Sequence, residues 1–407
     1  MVENDENFKW KRLNDLQEYL LREEQLKQIK RRCLNDRGQG DECGQSTLNT
    51  GHVKREEVLR RLERIFVDIV TSLSSHRAPV LSYNSRTRWD NIQFNDDVGL
   101  EMRDNPVLTE VRFDSANSIN KFGVTMKVMA MCYKLVQSNT YSTKRDLYYN
   151  EPKLFGRQSM LDGVLENICC MLIVPRRCLH VLATSKGFIA GGLKFTEVDG
   201  NHIDCSSSRT GILVPAHVEG INNIQSRARF ILVVEKDATF QKLLDDGFLQ
   251  DLAPSIMITG KGFPDVNTRL MVRKLWDVLQ IPVLCLVDAD PHGLEILCVY
   301  KFGSRSMAYE SRSLTVPCIR WLGVLPSDIQ RLQVSRDVLI PLNKSDLRKA
   351  KELIRRPYYQ HLPDWMKEMQ ILLDMGKKAE IQCLTAISMD YLTKVYLPNK
   401  IRYGGWI

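Results

Sequence analysis

Residues 281–293 read IPVLCLVDADPHG, an almost unbroken apolar run that ends in Asp288 and Asp290 and is then closed by Pro291 and Gly293. Near-continuous Val, Leu and Ile bounded by a proline and by acids is the pattern of a short strand buried on both faces of a sheet. Upstream, ARFILVVEKDA (228–238) repeats it and ends at Glu235, and PSIMITGKGFPD (254–265) runs a third apolar stretch into a glycine-rich turn. Helical patterns separate or follow these runs, TRLMVRKLWDVLQ at 268–280 and LEILCVYKFGS at 294–304. Strands alternating with helices predict an α/β domain with a parallel sheet. The tail from 340 to 407 reads as mostly helical, and its closing KIRYGGWI is too apolar to lie free.

Ligands of open α/β sheets gather beyond the carboxyl ends of the strands. Glu235, Asp288 and Asp290 all fall at that edge, and a strand's period of two aims residues 288 and 290 the same way. Hard carboxylate oxygens without histidine or thiolate suit magnesium or manganese. A lone DxD arises by chance on many surfaces. Two acid-tipped strands in one α/β unit carry more weight, because three clustered negative charges repel each other and burial worsens the cost.

The rest of the composition sets bounds. The chain has 407 residues, enough for two or three domains, with a net charge of +8 that favours polyanions only mildly. The 11 cysteines are scattered and contain no CxxC, and the 7 histidines contain no HExxH. A disulfide framework and a thiolate zinc site are thereby disfavoured, and a reducing compartment is expected. The opening MVENDENFKW is acidic where a signal peptide is basic and apolar, and no apolar run reaches transmembrane length, so a soluble intracellular protein without a membrane role is expected.

Residues 8–34 carry a narrow apolar stripe at helical spacing, followed by a polar, glycine-containing linker at 35–52. The helix reads as a frayed terminus, as a helix folded back on the body, or as a docking helix for a partner. A second amphipathic helix is predicted at 53–73, a third at 117–137 and a fourth at 159–174. CLHVLATSKGFIAGGLKF (178–195) then holds two β-rich runs joined at Ser185–Gly187, which predicts a hairpin. Helix, turn, helix and hairpin in that order suggest a winged helix, a DNA-docking module. The division expected is 1–52 for the docking helix and linker, 53–215 for the winged-helix domain, and 216–407 for the α/β domain with a helical extension.

Between the third and fourth helices lies TKRDLYYN (143–150). A phenol with a pKa near 10 is about one part in a thousand ionised at neutral pH, so nucleophilic use needs nearby positive charge or a base. Arg145 lies four residues before Tyr149, on the same helical face, and could stabilise both a phenolate and a phosphoryl transition state. Lys144 offers a looser charge to a DNA backbone. The alternative is that both rings pack between helices, and spacing beyond the arginine offset does not choose Tyr149 over Tyr148.

KRDLYY in a winged-helix setting, followed by VVEKDA, TGKGFPDVNTR and DADPHG, resembles the A-type chain of type IIB topoisomerases (topoisomerase VI), and more narrowly the eukaryotic meiotic double-strand-break transesterases of that family. The resemblance runs from about residue 55 to the closing GGWI. It implies a catalytic-tyrosine winged-helix domain joined to a Toprim domain, with Tyr149 as nucleophile and Arg145 assisting it. Glu235, Asp288 and Asp290 are then the Mg2+ (or Mn2+) ligands, and Lys261 and Phe263 approach double-stranded DNA. Lys236 stands where many other Toprim proteins carry glycine, a feature that suits the type IIB branch.

The resemblance further implies transesterification to a 5′-phosphotyrosyl link, which initiates homologous recombination on meiotic chromosomes in the nucleus. It implies a homodimer whose site is shared between protomers. TGKGF fails the Walker pattern at its last position, so any ATP requirement falls to a topoisomerase VI B-like subunit, for which residues 8–34 are the candidate dock. Competing readings are a somatic type IIB topoisomerase that reseals its breaks, a hydrolytic Toprim nuclease or primase, and a non-catalytic DNA-binding protein. Base-specific contacts are not evident, so weak sequence preference is expected.

Overall fold

The three apolar runs become neighbouring strands of one sheet. In the computed structural model, which describes residues 2–37, 53–86 and 88–407 (side chains of the first segment for 9–29 only), strand Ile231–Val234 is central. It runs parallel to Ile256–Thr259 on one side and to Val283–Leu286 on the other, with Ile231 in register with both Ile256 and Val283. Arg320–Gly323 adds a fourth parallel strand beyond Val283–Leu286. Phe188–Gly191 pairs antiparallel with Ile256–Thr259, and Ile212–Leu213 completes the six-stranded sheet.

Both faces of this sheet are covered, which is why its strands lack polar alternation. Ile231, Val233, Ile258 and Cys285 enter one core with Leu275 and Leu297 from helices Val266–Leu279 and Pro291–Phe302. Leu232, Val234, Met257 and Leu286 enter the other with Phe240, Leu384, Leu397 and Ile401. The C-terminus is held as its apolar character demands: Trp321 and Ile407 exchange backbone hydrogen bonds of 2.8 and 3.0 Å.

A third core lies upstream, where helices Arg55–Ser74, Ile119–Ser138 and Gln158–Leu172 bury Val58, Leu62, Val128, Met129, Leu161 and Leu165. The hairpin predicted at 178–195 does not form. Val181–Leu182 pairs in parallel with Ser142–Thr143, and Phe188–Gly191 leaves for the large sheet. The reason is local. Asn267 Nδ2 donates to Ser185 Oγ at 2.7 Å, and the Lys186 N–H donates to Asp265 at 3.1 Å. Gly187 passes so close that a Cβ there would lie 2.7 Å from the Thr259 carbonyl oxygen. The turn residues are therefore anchored to the glycine-rich loop and the helix after it, and the chain does not fold back on itself.

The N-terminal helix runs Val2–Arg37, so it takes in the first residues of the expected linker, whose remainder (38–52) lies outside the described residues. Trp10, Leu13, Leu16 and Leu20 are buried in the second core, with Trp10 against Phe230. At about 1.5–3 kcal/mol for each fully buried large side chain, that stripe is better placed on the body than in water. The folded-back alternative therefore describes its first half, while Leu26 and Ile29 remain exposed.

Candidate functional site

Glu235 follows strand Ile231–Val234 directly, and Asp288 comes two residues after Leu286. Both are buried, 8% and 6% exposed. Glu235 Oε2 accepts the Asp288 N–H at 2.8 Å, so one acid fastens the neighbouring strand end that carries the next. Asp290 caps helix Pro291–Phe302 by accepting the Gly293 N–H at 2.6 Å, with Pro291 in the first turn, where a missing N–H costs nothing. A Cβ on Gly293 would lie 2.6 Å from the Asp288 carbonyl oxygen and 3.0 Å from Glu235 Oε2, so this position admits no larger residue without displacement.

Strand alternation was the expected reason for residues 288 and 290 to share an aim, but the strand ends at Leu286. The segment is fixed instead by the cap and by paired hydrogen bonds between Ala289 and Ala379 of 2.9 and 3.2 Å. Ala379 belongs to a strap that nothing in the sequence pattern announced. Its Ile381 N–H donates to Asp288 Oδ1 at 2.9 Å. Glu380 lies 3.3 Å from Lys236 Nζ, which is itself 2.8 Å from Asp288 Oδ2. Lys378 Nζ sits 3.0 Å from Asp346 and 3.9 Å from Asp290. Lys236 stands beside Glu235 in the sequence, whereas the strap lies some ninety residues beyond Asp288 and carries no motif of its own.

Burial first, then the charges of Asp288 and Asp290, push the Glu235 carboxyl well above the usual carboxylate range. Burial raises Asp288 as well, against the opposing pull of Lys236. The donor set is all carboxylate, and the raised proton affinity of Glu235 and Asp288 marks a place where their ionised forms lack compensating charge, which fits a hard divalent cation. As the side chains stand, ammonium groups hold the aspartates, and no three Asp, Glu, His or Cys among the described residues converge to enclose an ion.

The tyrosines occupy helix Lys144–Asn150, opened by a capping box. Thr143 Oγ1 accepts the Asp146 N–H at 3.2 Å, and Asp146 Oδ2 accepts the Thr143 N–H at 3.1 Å. Leu147 is the buried anchor. The structure separates the pair that spacing left open. Tyr148 packs near Phe155 and donates to the Gly156 carbonyl at 3.3 Å, whereas Tyr149 is 71% exposed. The packing alternative therefore holds for Tyr148 alone. Arg145 is exposed and makes no ion pair among the described residues. Lys144 is engaged with Asp162 at 3.0 Å, which ties the tyrosine helix to the helix behind it. No hydrogen bond or ion pair among the described residues joins the tyrosine helix to the acids.

The glycine-rich turn is drawn against the first acid, with the Gly262 N–H donating to the Glu235 carbonyl oxygen at 2.8 Å. Lys261 takes φ of 53° and lies 3.1 Å from Asp237 and 4.0 Å from the Phe188 ring, while Phe263 projects at 48% exposure.

The Toprim-domain model of the Spo11 and topoisomerase 6 A-type chains matches residues 230–401, and a type IIB DNA topoisomerase model matches 120–181. The human meiotic recombination protein SPO11 is 54% identical over 351 residues, 86% of this chain and 89% of the human one. This chain belongs to the Spo11/topoisomerase 6 A-type family. The mouse member named meiotic recombination protein SPO11 is 52% identical over 86% of this chain and 89% of its own length. The A-type chain of Arabidopsis thaliana DNA topoisomerase 6 is 36% identical over 86% and 81% respectively. The Spo11/topoisomerase 6 match places both parallel acid-tipped strands inside a Toprim domain, a domain type that generally binds divalent metal ions. The type IIB match spans the tyrosine helix. Among the described residues, no helix is long and apolar enough to cross a membrane.

Proposed function

We propose that this chain is the DNA-cleaving transesterase that makes meiotic double-strand breaks and so starts homologous recombination. The observation that carries the reading is the 71% exposure of Tyr149 beside Arg145, which makes no ion pair among the described residues, in a chain of this family. The Tyr149 hydroxyl oxygen bonds to phosphorus as the bond from phosphorus to the 3′ oxygen breaks. The phenol proton is given up and the 3′ oxygen gains one, so no water is consumed. Arg145 lies on the face of Tyr149 and lowers the cost of both the phenolate and the extra phosphoryl charge. Glu235, Asp288 and Asp290 would hold Mg2+, or Mn2+ in its place, and the bound ion supplies charge stabilisation to the phosphate and leaving oxygen.

One tyrosine cuts one strand, so a double-strand break takes two copies. Among the described residues nothing links the tyrosine helix to the acids within one chain, which supports a site shared between protomers. The functional division is a catalytic-tyrosine part (53–215), expected as a winged helix but without the hairpin at 178–195, that lends strands 188–191 and 212–213 to the sheet of a metal-binding part (216–407), with 1–52 in front. Phe263 and, once released from Asp237, Lys261 are the DNA contacts of the glycine-rich turn, with Lys144 as a backbone contact if Asp162 frees it. A topoisomerase VI B-like subunit is the expected partner. Its dock on the N-terminal helix is narrowed to the half bearing Leu26 and Ile29, since the stripe before them is covered. The working place is the nucleus, on meiotic chromosomes.

The deciding experiment is to denature the protein after cleavage and map the residue that carries the DNA. Attachment to Tyr149 is expected. Attachment to Tyr148, or cleavage with no attachment, overturns the reading.

A further inference from the structure

Lys236 is an unexpected residue for its position. It is the N-cap of helix Asp237–Asp245, where the helix dipole disfavours positive charge and where a serine, threonine, aspartate or asparagine would cap better. Its side chain caps nothing. It runs instead to Asp288 Oδ2 at 2.8 Å and to Glu380 Oε2 at 3.3 Å, bridging a buried acid and one that is 53% exposed. Asp288 is held from its other oxygen by the Ile381 N–H, and Ile381 is the residue after Glu380. The strap thus sets the alternative partner of Lys236 beside the acid that Lys236 occupies. Lys378 repeats the arrangement more loosely, between Asp346 and Asp290.

We propose that Lys236 is a built-in counter-ion that holds Asp288 while no divalent cation is bound, and that it steps across to Glu380 when one binds. The inference rests on the reading of Glu235, Asp288 and Asp290 as the metal-binding acids. A lysine suits the task because its charge is a point at the end of a flexible four-carbon stem, and because its ammonium already touches both partners, so the handover needs little movement. The consequence is a site that keeps its acids in place when empty and gives up some cation affinity in return. Lys236 and Glu380 are positioning residues here.

The test is Mn2+ binding to the full chain without DNA, read by the loss of the free-ion electron paramagnetic resonance signal, with circular dichroism to check folding. Lys236→Gln removes the competitor and is expected to bind Mn2+ about tenfold more tightly. Glu380→Gln removes the alternative seat, keeps the lysine on Asp288 and is expected to bind several-fold more weakly. The double variant should behave like Lys236→Gln alone. Unchanged or weaker binding by Lys236→Gln overturns the proposal, because the lysine then orients Asp288 without competing for it. A double variant weaker than Lys236→Gln overturns the handover and makes Glu380 a ligand. If neither the wild type nor any variant binds Mn2+, the metal reading of the acids itself fails, and that result is distinct from the other two.

Discussion

Tyr149 stands on a surface helix of 7 residues and is 71% exposed, while Glu235 and Asp288 are 8% and 6% exposed and hydrogen-bonded within the chain. The contrast follows from what each group has to do. A nucleophile that must meet a duplex needs access, and a phenol stays neutral in water without assistance. Carboxylates that act by charge work best where water is scarce and where their positions are fixed before the substrate arrives. Access makes the first region cheap to alter structurally and decisive for chemistry. Burial makes the second region costly on both counts.

The sharpest way to break that contrast is Tyr149→Phe. Removing one exposed oxygen should leave the melting temperature unchanged while abolishing both strand cutting and covalent attachment. Tyr148→Phe loses a single hydrogen bond to Gly156, worth about 1 kcal/mol, and should still cut. A Tyr149→Phe protein that still cuts would instead support a hydrolytic mechanism at the acids. Next in size is Gly293→Ala, whose added methyl collides with the Asp288 backbone and Glu235. Chemical denaturation should show a loss of about 1–3 kcal/mol, together with weaker divalent-ion binding. A loss within about 0.5 kcal/mol would mean that the acid edge yields more readily than its hydrogen bonds suggest.

Much of this contrast is legible in the amino-acid sequence. The apolar runs at 231–234, 256–259 and 283–286 announced buried parallel strands because covering both faces removes alternation, and their terminal acids followed at once. The hairpin expected at 185–187 does not form because Gly187 and Ser185, turn residues when taken alone, are held by Thr259, Asp265 and Asn267 some eighty residues later. Four strands between residues 80 and 112 (VLSYN, IQFN, GLEM and LTEVR) are as short as those of the sheet but mix polar with apolar residues, so no apolar run marks them. Tyr149 and Tyr148 could not be told apart by spacing, since exposure depends on where Phe155 and Gly156 return. Lys378 and Glu380 carry no local signal for the same reason: long-range contacts bring them to Asp290 and Lys236.

The buried half should also carry the pH dependence. Lys301 is fully enclosed and donates to the carbonyl oxygens of Pro317 and Ile319; burial first, then Arg320, push its amine down from 10.5 to about 7. Between those values the unfolded chain binds a proton that the folded chain does not, so this lysine makes stability rise with pH across the window, by up to about 1.4 kcal/mol per pH unit. Lys301→Met removes the titration. Urea unfolding at pH 7 and pH 9.5 should show a smaller rise for the variant than for the wild type, and equal rises would mean that the amine stays charged inside the fold.

The smallest effect is expected on the exposed side, at Thr143→Ala. Thr143 and Asp146 each accept the other's backbone N–H, and losing the threonine oxygen leaves one of these first-turn donors to water. The cost of such a cap is about 1 kcal/mol. In a helix of 7 residues anchored chiefly by Leu147, the loss falls on local order while the three hydrophobic cores are untouched. Amide hydrogen exchange should therefore accelerate for residues 147–150 about fivefold with no change in global unfolding, since 1 kcal/mol is roughly that factor. Cleavage should fall by a similar factor if a formed helix is what carries Arg145 and Tyr149 on one face. Faster exchange with undiminished cleavage would mean that DNA binding itself orders the helix, and the exposed nucleophile would then depend on its substrate for an order that Glu235 and Asp288 already draw from hydrogen bonds within the chain.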